Sequence, residues 1–254
     1  MRTVEVPART ETSDLRPHAR ILTAVFAYNE GEKIRRTLAR HPAQRPYELL
    51  VMDDGSTDGA LNSLPADGIR LLRNPSRMGI GAAMKRVFEY ALAEDYDILV
   101  AQAGNDKDDP LEIPRLLQPI LEGRADFVQG SRFLPGGGYG NTPLYRVIGT
   151  RYVHPLLFSM AVGKRVTEST NGFRAFRTAI LRDPRIHWRQ PWLDQYELEP
   201  YLLYQVIRLG YRHMEAPVTK VYPSRRLGYT KMKPLVGWWS ILRPIFLLWF
   251  GLKK

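Results

Sequence analysis

The sequence feature that most constrains the fold is a short apolar run, residues 49–52, that ends in two acids. Asp53 and Asp54 follow the run directly, and a Gly55-Ser56 turn comes next. Apolar runs of this length bounded by turn residues are typical of buried strands. Polar groups at the end of such a strand lie where open α/β sheets bind their ligands. Taken alone, the pattern fits a plain strand-to-helix turn capped by Asp54 or Ser56 equally well.

Further apolar runs of strand length recur through the first half of the chain and alternate with helical patterns. The predicted strands are residues 21–27, 49–52, 69–72, 97–101 and 126–130. Apolar residues at helical spacing predict a helix over residues 80–91, and Asn29 is predicted to cap an earlier helix. Strands that alternate with helices predict an α/β fold, with a mostly parallel sheet flanked by helices. Because polar or acidic loops follow successive strands, we expect a ligand site at that edge of the sheet.

The second half of the chain has a different pattern. The glycine-rich residues 136–140 predict a mobile loop, and residues 144–162 are a long apolar segment interrupted by Pro155. A helix is predicted over residues 197–209 and a strand over residues 213–221. We therefore divide the chain into a flexible tail, one large domain and a C-terminal helix, at residues 1–19, 20–233 and 234–254.

The balance of charge points to anionic partners. The net charge is +11, which suits nucleic acid, phosphorylated substrates or an acidic membrane surface. Acidic strand ends and the lack of a recognisable nucleic-acid module argue against nucleic acid. Cysteine is absent, which excludes disulfides and thiolate chemistry, and the five histidines lack the spacing of a zinc site. Residues 1–19 are polar, so no signal peptide is expected, and the composition is compatible with a cytoplasmic location.

Six ordered motifs resemble those of family 2 glycosyltransferases of the GT-A fold. They are Ala27-Tyr28-Asn29-Glu30, Asp53-Asp54-Gly55-Ser56-Thr57-Asp58, Asn74 with Gly79-x-Gly81-x-Ala83, Gly130-Ser131-Arg132, Asn171-Gly172-Phe173-Arg174, and Arg226-x-Gly228-x-x-Lys231. The resemblance is strongest to the polyprenyl-phosphate branch, whose members are similar to dolichol-phosphate mannose synthase. It spans residues 20–233 and implies a Rossmann-like fold of the nucleotide-diphospho-sugar transferase type.

The resemblance implies a donor pocket for a nucleotide-sugar at the strand ends. The implied donor residues are Ala27, Tyr28, Glu30, Asp54, Gly79 and Lys107. Carboxylates such as those of Glu30 and Asp54 accept hydrogen bonds from base N–H groups or ribose hydroxyls. Glycines 79 and 81 would let a diphosphate approach the start of a helix closely, although they also fit simple helix initiation. Which sugar and which base are used stays open, and GDP-mannose and UDP-glucose are the natural first candidates.

The loop after the fourth predicted strand departs from the family pattern. Related enzymes carry an Asp-x-Asp that holds Mg²⁺ or Mn²⁺, whereas the aligned positions here are Ala103 and Asn105. The glutamine that follows in the family falls on Lys107. Because oxygen ligands suit a hard cation, we expect an altered metal site at Asn105 and Asp106. The alternative is that Lys107 supplies the positive charge directly and that metal dependence is weak.

The resemblance also implies cations for the acceptor phosphate and for the departing nucleoside diphosphate. Arg132, Arg226 and Lys231 are the implied catalytic residues, and Arg132 and Arg146 are the implied acceptor-phosphate ligands. Arginine suits phosphate because its planar group donates two hydrogen bonds at once. A phosphomonoester is already anionic at neutral pH, so displacement with inversion at the anomeric carbon needs no general base.

Two other functions stay open at this point. A hydroxyl acceptor, either a soluble metabolite or a growing glycan, would need a general base, for which Asp194 and Glu197 are the candidates. The altered metal motif also fits a non-catalytic scaffold that only binds a nucleotide.

Residues 234–254 predict an amphipathic helix at a membrane interface. The apolar stretch is interrupted by Arg243-Pro244 and is shorter than the ~20 residues that span a bilayer. Tryptophans flanked by lysines suit a helix that lies on anionic lipid. The alternative is a helix packed on the core of its own domain. We therefore expect a peripheral enzyme at the cytoplasmic face of the membrane.

Overall fold

A seven-stranded sheet forms the centre of the part of the chain that the computed structural model describes, residues 19–62, 68–224 and 236–253. The strands are β1 (Ile21–Ala27), β2 (Glu48–Asp53), β3 (Ile69–Arg73), β4 (Ile98–Ala103), β5 (Phe127–Ser131), β6 (Gly138–Gly140), β7 (Arg174–Arg177), β8 (His213–Pro217) and β9 (Thr219–Val221). The order in the large sheet is β3-β2-β1-β4-β7-β5-β8, and β6 pairs with β9 separately. β7 runs antiparallel to β4 and β5, and the other pairs are parallel, so the predicted α/β fold is confirmed.

Helices cover both faces of this sheet. They are α1 (Glu32–Ala39), α2 (Ile80–Ala93), α3 (Ile113–Leu121), α4 (Leu144–Ile148), α5 (His154–Val162), α6 (Leu198–Arg208) and α7 (Val236–Trp249). Leu22, Ala24 and Phe26 of β1 join the core that contains residues of α2, α5 and α6. Val25 and Ala27 point the other way and pack with α1. This double covering explains why β1 reads as a continuous apolar run in the sequence.

The carboxyl ends of the central parallel strands meet at one edge of the sheet. Ala27 of β1 lies opposite Asp53 of β2, and Phe26 lies opposite Ala103 of β4. The antiparallel strand β7 begins at this same edge with Arg174. The loops after β1, β2 and β4 are therefore neighbours of the loop that precedes β7.

The predicted strands in the first half and the helix over residues 80–91 are present near their expected bounds, but the predicted helix cap is wrong. Asn29 has a φ of 48°, and its side-chain oxygen accepts a hydrogen bond from Thr57 N at 2.8 Å. Gly31 occupies the cap position of α1, and no side chain caps that helix. Asn29 instead joins the loop after β1 to the loop after β2, because its left-handed backbone directs the amide across the sheet edge.

Two predictions for the second half are wrong. Residues 138–140, predicted as part of a mobile loop, form β6, and a side chain at Gly137 would lie 2.6 Å from Ser131 O. The predicted strand over residues 213–221 is divided, because pairing with β5 ends at Pro217 and β9 then pairs with β6. β7 was not predicted, since arginines hold two of its four positions and no apolar alternation marks it.

The apolar segment over residues 144–162 is helical throughout. α4 continues through a π-helical turn, Gly149–Val153, into α5. Pro155 follows the π-helical turn directly and removes one N–H donor from this continuous helical segment. Among the described residues, no helix is long and apolar enough to cross a membrane.

The C-terminal helix α7 packs on the core of its own domain. Ile245 and Leu248 are buried in the core that contains α5 and α6, and Arg243 is paired with Glu197 next to the start of α6. The exposed face carries Trp249, so contact with a membrane stays a prediction. Apart from its last residue, the predicted flexible tail lies outside the described residues.

Buried histidines make the stability of the fold depend on pH. Burial lowers the pKa of His41 and His154 to about 4, and it lowers the pKa of His213 to about 3. In the unfolded chain a histidine titrates near ~6.5. Below that pH the unfolded chain therefore gains protons that the folded chain does not, and stability falls as the pH drops towards about 4. We expect each histidine to cost about 1–2 kcal/mol at pH ~5 relative to pH ~7.5, measured by urea unfolding.

The matched variants for this prediction are His213→Leu and His187→Gln. His213 has no hydrogen-bond partner among the described residues, so His213→Leu removes its proton uptake and should reduce the loss of stability. His187 is exposed, and His187→Gln should leave the loss unchanged. Equal unfolding free energies at the two pH values for the wild-type chain would contradict the prediction.

Candidate active site

Asp54 is buried, and its carboxylate is occupied by the segment that leads into α2. Asn74 Nδ2 donates to Asp54 Oδ1 at 2.7 Å, Met78 N donates to the same oxygen at 2.9 Å, and Gly79 N donates to Oδ2 at 2.9 Å. The N–H of Asp54 donates to Ala27 O at 2.9 Å. Asp54 thus joins the ends of β1 and β2 to the start of α2. Its contact with a nucleoside stays a prediction.

Asp53, the first acid of the pair, organises the turn. Its Oδ1 accepts from Ser56 N at 2.8 Å, and its Oδ2 accepts from Arg73 Nε at 2.7 Å. The carboxylate is fully buried, so both hydrogen bonds are shielded from water. The turn therefore keeps its shape without a ligand.

Tyr28 and Glu30, two predicted donor residues, lie half-buried at the same edge. The Arg77 guanidinium lies 4.7 Å from the centroid of the Tyr28 ring, a cation–π contact that the sequence did not indicate. Glu30 is paired with Lys33 at 2.7 Å. The edge therefore carries an aromatic ring and a carboxylate side by side, each already in contact with a cation of the protein, and their contact with a nucleoside stays a prediction.

The two glycines at the start of α2 allow close packing against the protein's own backbone. A Cβ on Gly81 would lie 1.9 Å from Leu193 O, and a Cβ on Gly79 would lie 2.5 Å from Asp194 O. Ala82 N donates to Asp194 O at 3.0 Å. The close approach that the sequence indicated is present, but its partner is the segment before α6.

The loop after β4, predicted to hold a metal, has an unfavourable set of donors. Asn105 Oδ1 is buried and has no partner among the described residues, while the Asp106 carboxylate is paired with Arg40 at 2.9 Å. Within the described ranges, no three His, Cys, Asp or Glu side chains converge. One neutral oxygen and one carboxylate shared with arginine do not fit the ligand set of Mg²⁺ or Mn²⁺, in which unpaired carboxylates supply the negative charge.

Lys107, in the same loop, is held against an aromatic ring. Its ammonium lies 4.0 Å from the centroid of the Tyr222 ring, and its carbonyl accepts from Val221 N at 2.9 Å. Burial, together with the positive charges of Lys220 and Arg146, lowers the pKa of Lys107 to about 7. In the described part of the chain, no carboxylate forms an ion pair with Lys107.

A buried ion pair joins this loop to the opposite side of the site. Lys220 Nζ donates to Asp108 Oδ1 at 2.5 Å and to Asn171 Oδ1 at 3.0 Å. Asn171 Nδ2 in turn donates to Gly130 O at 3.1 Å. Asp108 and Asn171 are fully buried. The network fixes the loop after β4, the end of β5, the approach to β7 and strand β9 relative to one another.

Arg132, predicted to contact phosphate, is buried and bonded to Glu168. Its Nε and Nη2 donate to the two Glu168 oxygens at 2.6 and 2.9 Å, and Nη2 also donates to Thr170 Oγ1 at 3.2 Å. Although burial opposes it, the Glu168 carboxylate raises the pKa of Arg132. The charge of Arg132 is thus already balanced, and its direct contact with phosphate stays a prediction.

A cavity of about 170 Å³ lies beside this ion pair. Its polar wall includes Arg132, Arg146, His154, Arg174, Lys220 and Tyr222. Arg146 Nη1 donates to the Tyr222 hydroxyl at 2.8 Å. Arg174 is paired with Glu199, whereas no carboxylate of the described residues pairs with Arg146. The cavity therefore presents unbalanced positive charge, which suits a phosphate group.

The two candidate general bases are engaged elsewhere. The Asp194 carboxylate accepts a hydrogen bond from the Lys85 ammonium, and the buried Glu197 carboxylate is paired with Arg243. Each ion pair links a helix to its neighbour: α2 to the segment before α6, and α6 to α7. Their geometry therefore assigns both acids to packing.

Some site residues were missed by the sequence, and others lie outside the described chain. Lys220, Tyr222 and Glu168 were not predicted, because their partners are distant in sequence. Lys220 did carry a signal, since a lysine inside an apolar strand pattern has to find a buried partner. Arg226 and Lys231 fall outside the described residues.

Comparison with known sequences shows the family to which the chain belongs. The model of the family described as glycosyl transferase family 2 matches residues 23–184. A polyprenol monophosphomannose synthase of Mycolicibacterium smegmatis is 30% identical over 236 residues, which cover 90% of this chain and 86% of that protein. An undecaprenyl-phosphate mannosyltransferase of Micrococcus luteus is 32% identical over 224 residues, covering 84% of this chain and 87% of that protein.

Solved structures confirm the fold. A glucosyl-3-phosphoglycerate synthase of Mycobacterium tuberculosis, in complex with Mn²⁺, UDP and phosphoglyceric acid, has a TM-score of 0.64 at 22% identity, covering 92% of this chain and 78% of that chain. The structure of the same enzyme with Mn²⁺, UDP and glucosyl-3-phosphoglycerate has a TM-score of 0.65 at 22% identity. The match covers 98% of this chain and 86% of that chain. At this identity the likeness shows the fold alone, which is the predicted GT-A type. With the family model matching well over half of the chain, and with relatives that span most of it, this protein belongs to glycosyl transferase family 2.

Proposed function

We propose that this protein is an inverting glycosyltransferase that moves a mannose- or glucose-type sugar from a GDP- or UDP-sugar to a polyprenyl phosphate. Relatives that span most of the chain are named as a polyprenol monophosphomannose synthase and an undecaprenyl-phosphate mannosyltransferase. The donor residues at the ends of β1 and β2 support a nucleotide ligand, and the cationic cavity supports a phosphate acceptor.

The observation that carries the proposal is the position of Arg146 in the cavity wall. Its guanidinium is half-buried, is held by the Tyr222 hydroxyl, and has no carboxylate partner in the described part of the chain. A guanidinium held in this way is already oriented to donate two hydrogen bonds to a phosphate. Arg132 and Arg174 are buried alongside it but are balanced by Glu168 and Glu199.

The proposed reaction is a single displacement. An oxygen of the acceptor phosphate forms a bond to the anomeric carbon while the bond from that carbon to the donor diphosphate breaks. The electron pair of the broken bond leaves with the nucleoside diphosphate. The acceptor needs no general base, because a phosphomonoester has its second pKa near ~6 and is anionic at neutral pH. Catalysis then depends on positioning and on cations that stabilise the departing charge.

The divalent cation predicted at Asn105 and Asp106 is not part of this proposal, because the donors at that position do not fit one. Mn²⁺ is present together with UDP in the structurally similar synthase. The partnerless Oδ1 of Asn105 favours a ligand at this position, whereas the ion pair between Asp106 and Arg40 opposes a metal. No step of the proposed reaction is routed through a metal.

We further propose that the enzyme lies on the cytoplasmic face of a membrane. The helical segment from α4 to α5 exposes apolar side chains, as do α7 and the residues after it: Leu144, Tyr145, Ile148, Tyr152, Leu156, Met160, Trp239, Trp249, Phe250 and Leu252. Both elements also line the cavity, through Arg146 and through Ile241. A lipid phosphate in the cavity would therefore leave its chain beside these apolar surfaces.

The proposed reaction is tested by following radiolabelled sugar into organic solvent. The full chain is incubated with GDP-mannose or UDP-glucose and with undecaprenyl or dolichyl phosphate, both with Mn²⁺ and with EDTA. We expect label in the organic phase only when the lipid phosphate is present. Label that stays aqueous with every donor would refute the lipid acceptor, and label on a soluble hydroxyl compound would support the alternative acceptor.

Substitution of Arg146 is expected to change the KM for the acceptor, whereas substitution of Arg132 is expected to change the stability of the fold. Arg146→Gln should raise KM for the lipid phosphate about tenfold or more and cost no more than about 1 kcal/mol of stability, because no carboxylate pairs with Arg146 and only its hydrogen bond to Tyr222 is lost. Arg132→Gln should instead cost about 3–5 kcal/mol of stability, because it leaves the Glu168 carboxylate buried and unpaired.

Steady-state kinetics and urea unfolding of each variant separate the two effects. Arg165→Gln, exposed in the loop after α5, is the matched control and should change neither quantity. The double variant Arg132→Met, Glu168→Leu should recover much of the stability lost in Arg132→Gln. An unchanged KM in Arg146→Gln would remove Arg146 from the acceptor site.

Membrane contact is tested by flotation with lipid vesicles. The full chain should float with vesicles that contain about 30% anionic phosphatidylglycerol and less with neutral phosphatidylcholine. Trp249→Ser, Phe250→Ser should weaken flotation about tenfold, because the exposed aromatic surface at the end of α7 is removed.

Leu111→Ser, Leu121→Ser changes exposed apolar residues on the opposite face of the sheet and should float like the wild type. A wild-type chain that stays in the dense fraction with both kinds of vesicle would refute the membrane proposal.

A further inference from the structure

The loop after β4 is anchored on several sides, so the position of Lys107 is set before any ligand arrives. Gly104 N donates to Phe26 O at 2.8 Å, and Asp106 N donates to Thr37 Oγ1 at 3.1 Å. Val221 N donates to the carbonyl of Lys107 itself at 2.9 Å. Groups held in this way lose little freedom when a ligand binds.

The acids of this loop are already used by the protein. Asp106 is paired with Arg40, Asp108 with Lys220, and Asp109 caps the following helical turn by accepting from Leu111 N at 3.1 Å. A loop that holds a divalent cation needs carboxylates turned towards the ligand. Here the carboxylates are turned towards cations and backbone of the protein.

Lys107 is the opposite case, because its charge has no carboxylate partner among the described residues. The positive charges of Lys220 and Arg146 act on it, and Tyr222 covers its ammonium. Asp108 balances Lys220, whereas Lys107 and Arg146 have no carboxylate partner among the described residues, and two such like charges are unfavourable until an anion joins them. A metal dication would add to this repulsion, whereas a diphosphate would relieve it.

Lys107 also lies next to the donor edge. Glu30, in the loop after β1, is close enough to act on the charge of Lys107. A main-chain hydrogen bond from Gly104 N to Phe26 O joins the same loop to the end of β1. The ammonium is therefore placed between the nucleoside-binding edge and the cationic cavity, where the diphosphate of a donor would lie.

We propose that the Lys107 ammonium takes the place of a divalent cation, so that this enzyme binds the diphosphate of its donor without a metal. The proposal rests on the nucleotide-sugar donor of the proposed function. The positive charge is supplied by a side chain fixed in the fold, and it faces the charge that develops on the departing diphosphate.

The test is calorimetric titration of the full chain with UDP and with GDP, in excess EDTA and in Mn²⁺. For the nucleotide that binds, we expect dissociation constants in the two buffers to agree within about threefold. Lys107→Gln should weaken binding in EDTA about ten- to hundredfold, because a charge-assisted contact is lost. Lys164→Gln, at the far end of the sheet where its ammonium donates to His213 O, is the matched control and should bind as the wild type.

A second variant tests whether metal-dependent nucleotide binding can be introduced into this loop. Ala103→Asp, Asn105→Asp, Lys107→Gln replaces the ammonium with carboxylates, and its nucleotide binding should become dependent on Mn²⁺. Thermal unfolding of each variant checks that the fold is kept. If this triple variant does not fold, Lys107→Gln alone still decides the question.

The inference is overturned if the wild type binds neither nucleotide in EDTA, or if Lys107→Gln binds as tightly as the wild type. Transfer of sugar in Mn²⁺ would then still support the proposed function. If the chain binds a nucleotide in EDTA but transfers sugar from no donor, the metal-free binding is supported and the proposed function is refuted.

Discussion

The buried ion pair between Lys220 and Asp108 is the interaction on which the rest of the site depends. It joins a loop of the parallel half of the sheet to a strand more than a hundred residues later, and Asn171 completes it from the approach to β7. Removal of one partner from such a pair typically costs about 3–5 kcal/mol, because the other charge is left buried and alone. The connection holds the loop that carries Lys107 against the strand that leads to Tyr222.

The sequence was sufficient to predict the parallel strands and the edge at which their loops meet. Local patterns carried that information, since apolar runs such as residues 21–27 are covered on both faces and end in turn residues. The antiparallel strand β7 and the pairing of β6 with β9 could not be predicted from the sequence. Arginines dominate β7 and glycines dominate β6, so neither has the apolar alternation by which a strand is recognised.

Within the site, the sequence indicates which residues lie near the sheet edge and the cavity, but it does not indicate which partners their side chains have. Asp54 lies at the end of β2 and Arg132 lies beside the cavity, but hydrogen bonds within the protein occupy both side chains. Their partners, Gly79 and Glu168, are separated from them by 25 and 36 residues, and only the folded chain reveals the pairing. The groups that keep unbalanced charge, Lys107 and Arg146, were distinguished from other cations only by the absence of such partners among the described residues.

The antiparallel strand β7 divides the sheet into two parallel blocks, β3-β2-β1-β4 on one side and β5-β8 on the other. The loops attributed to the donor belong to the first block, while the cavity wall is built from the second block and the helices around it. Four residues of β7 and the ion pair of Lys220 connect the two. Such a division makes specificity for the donor separable from specificity for the acceptor. Substitutions that change the nucleotide or sugar fall on the first block, and those that change the acceptor fall on the second. The two kinds of substitution can therefore accumulate independently in evolution or in engineering.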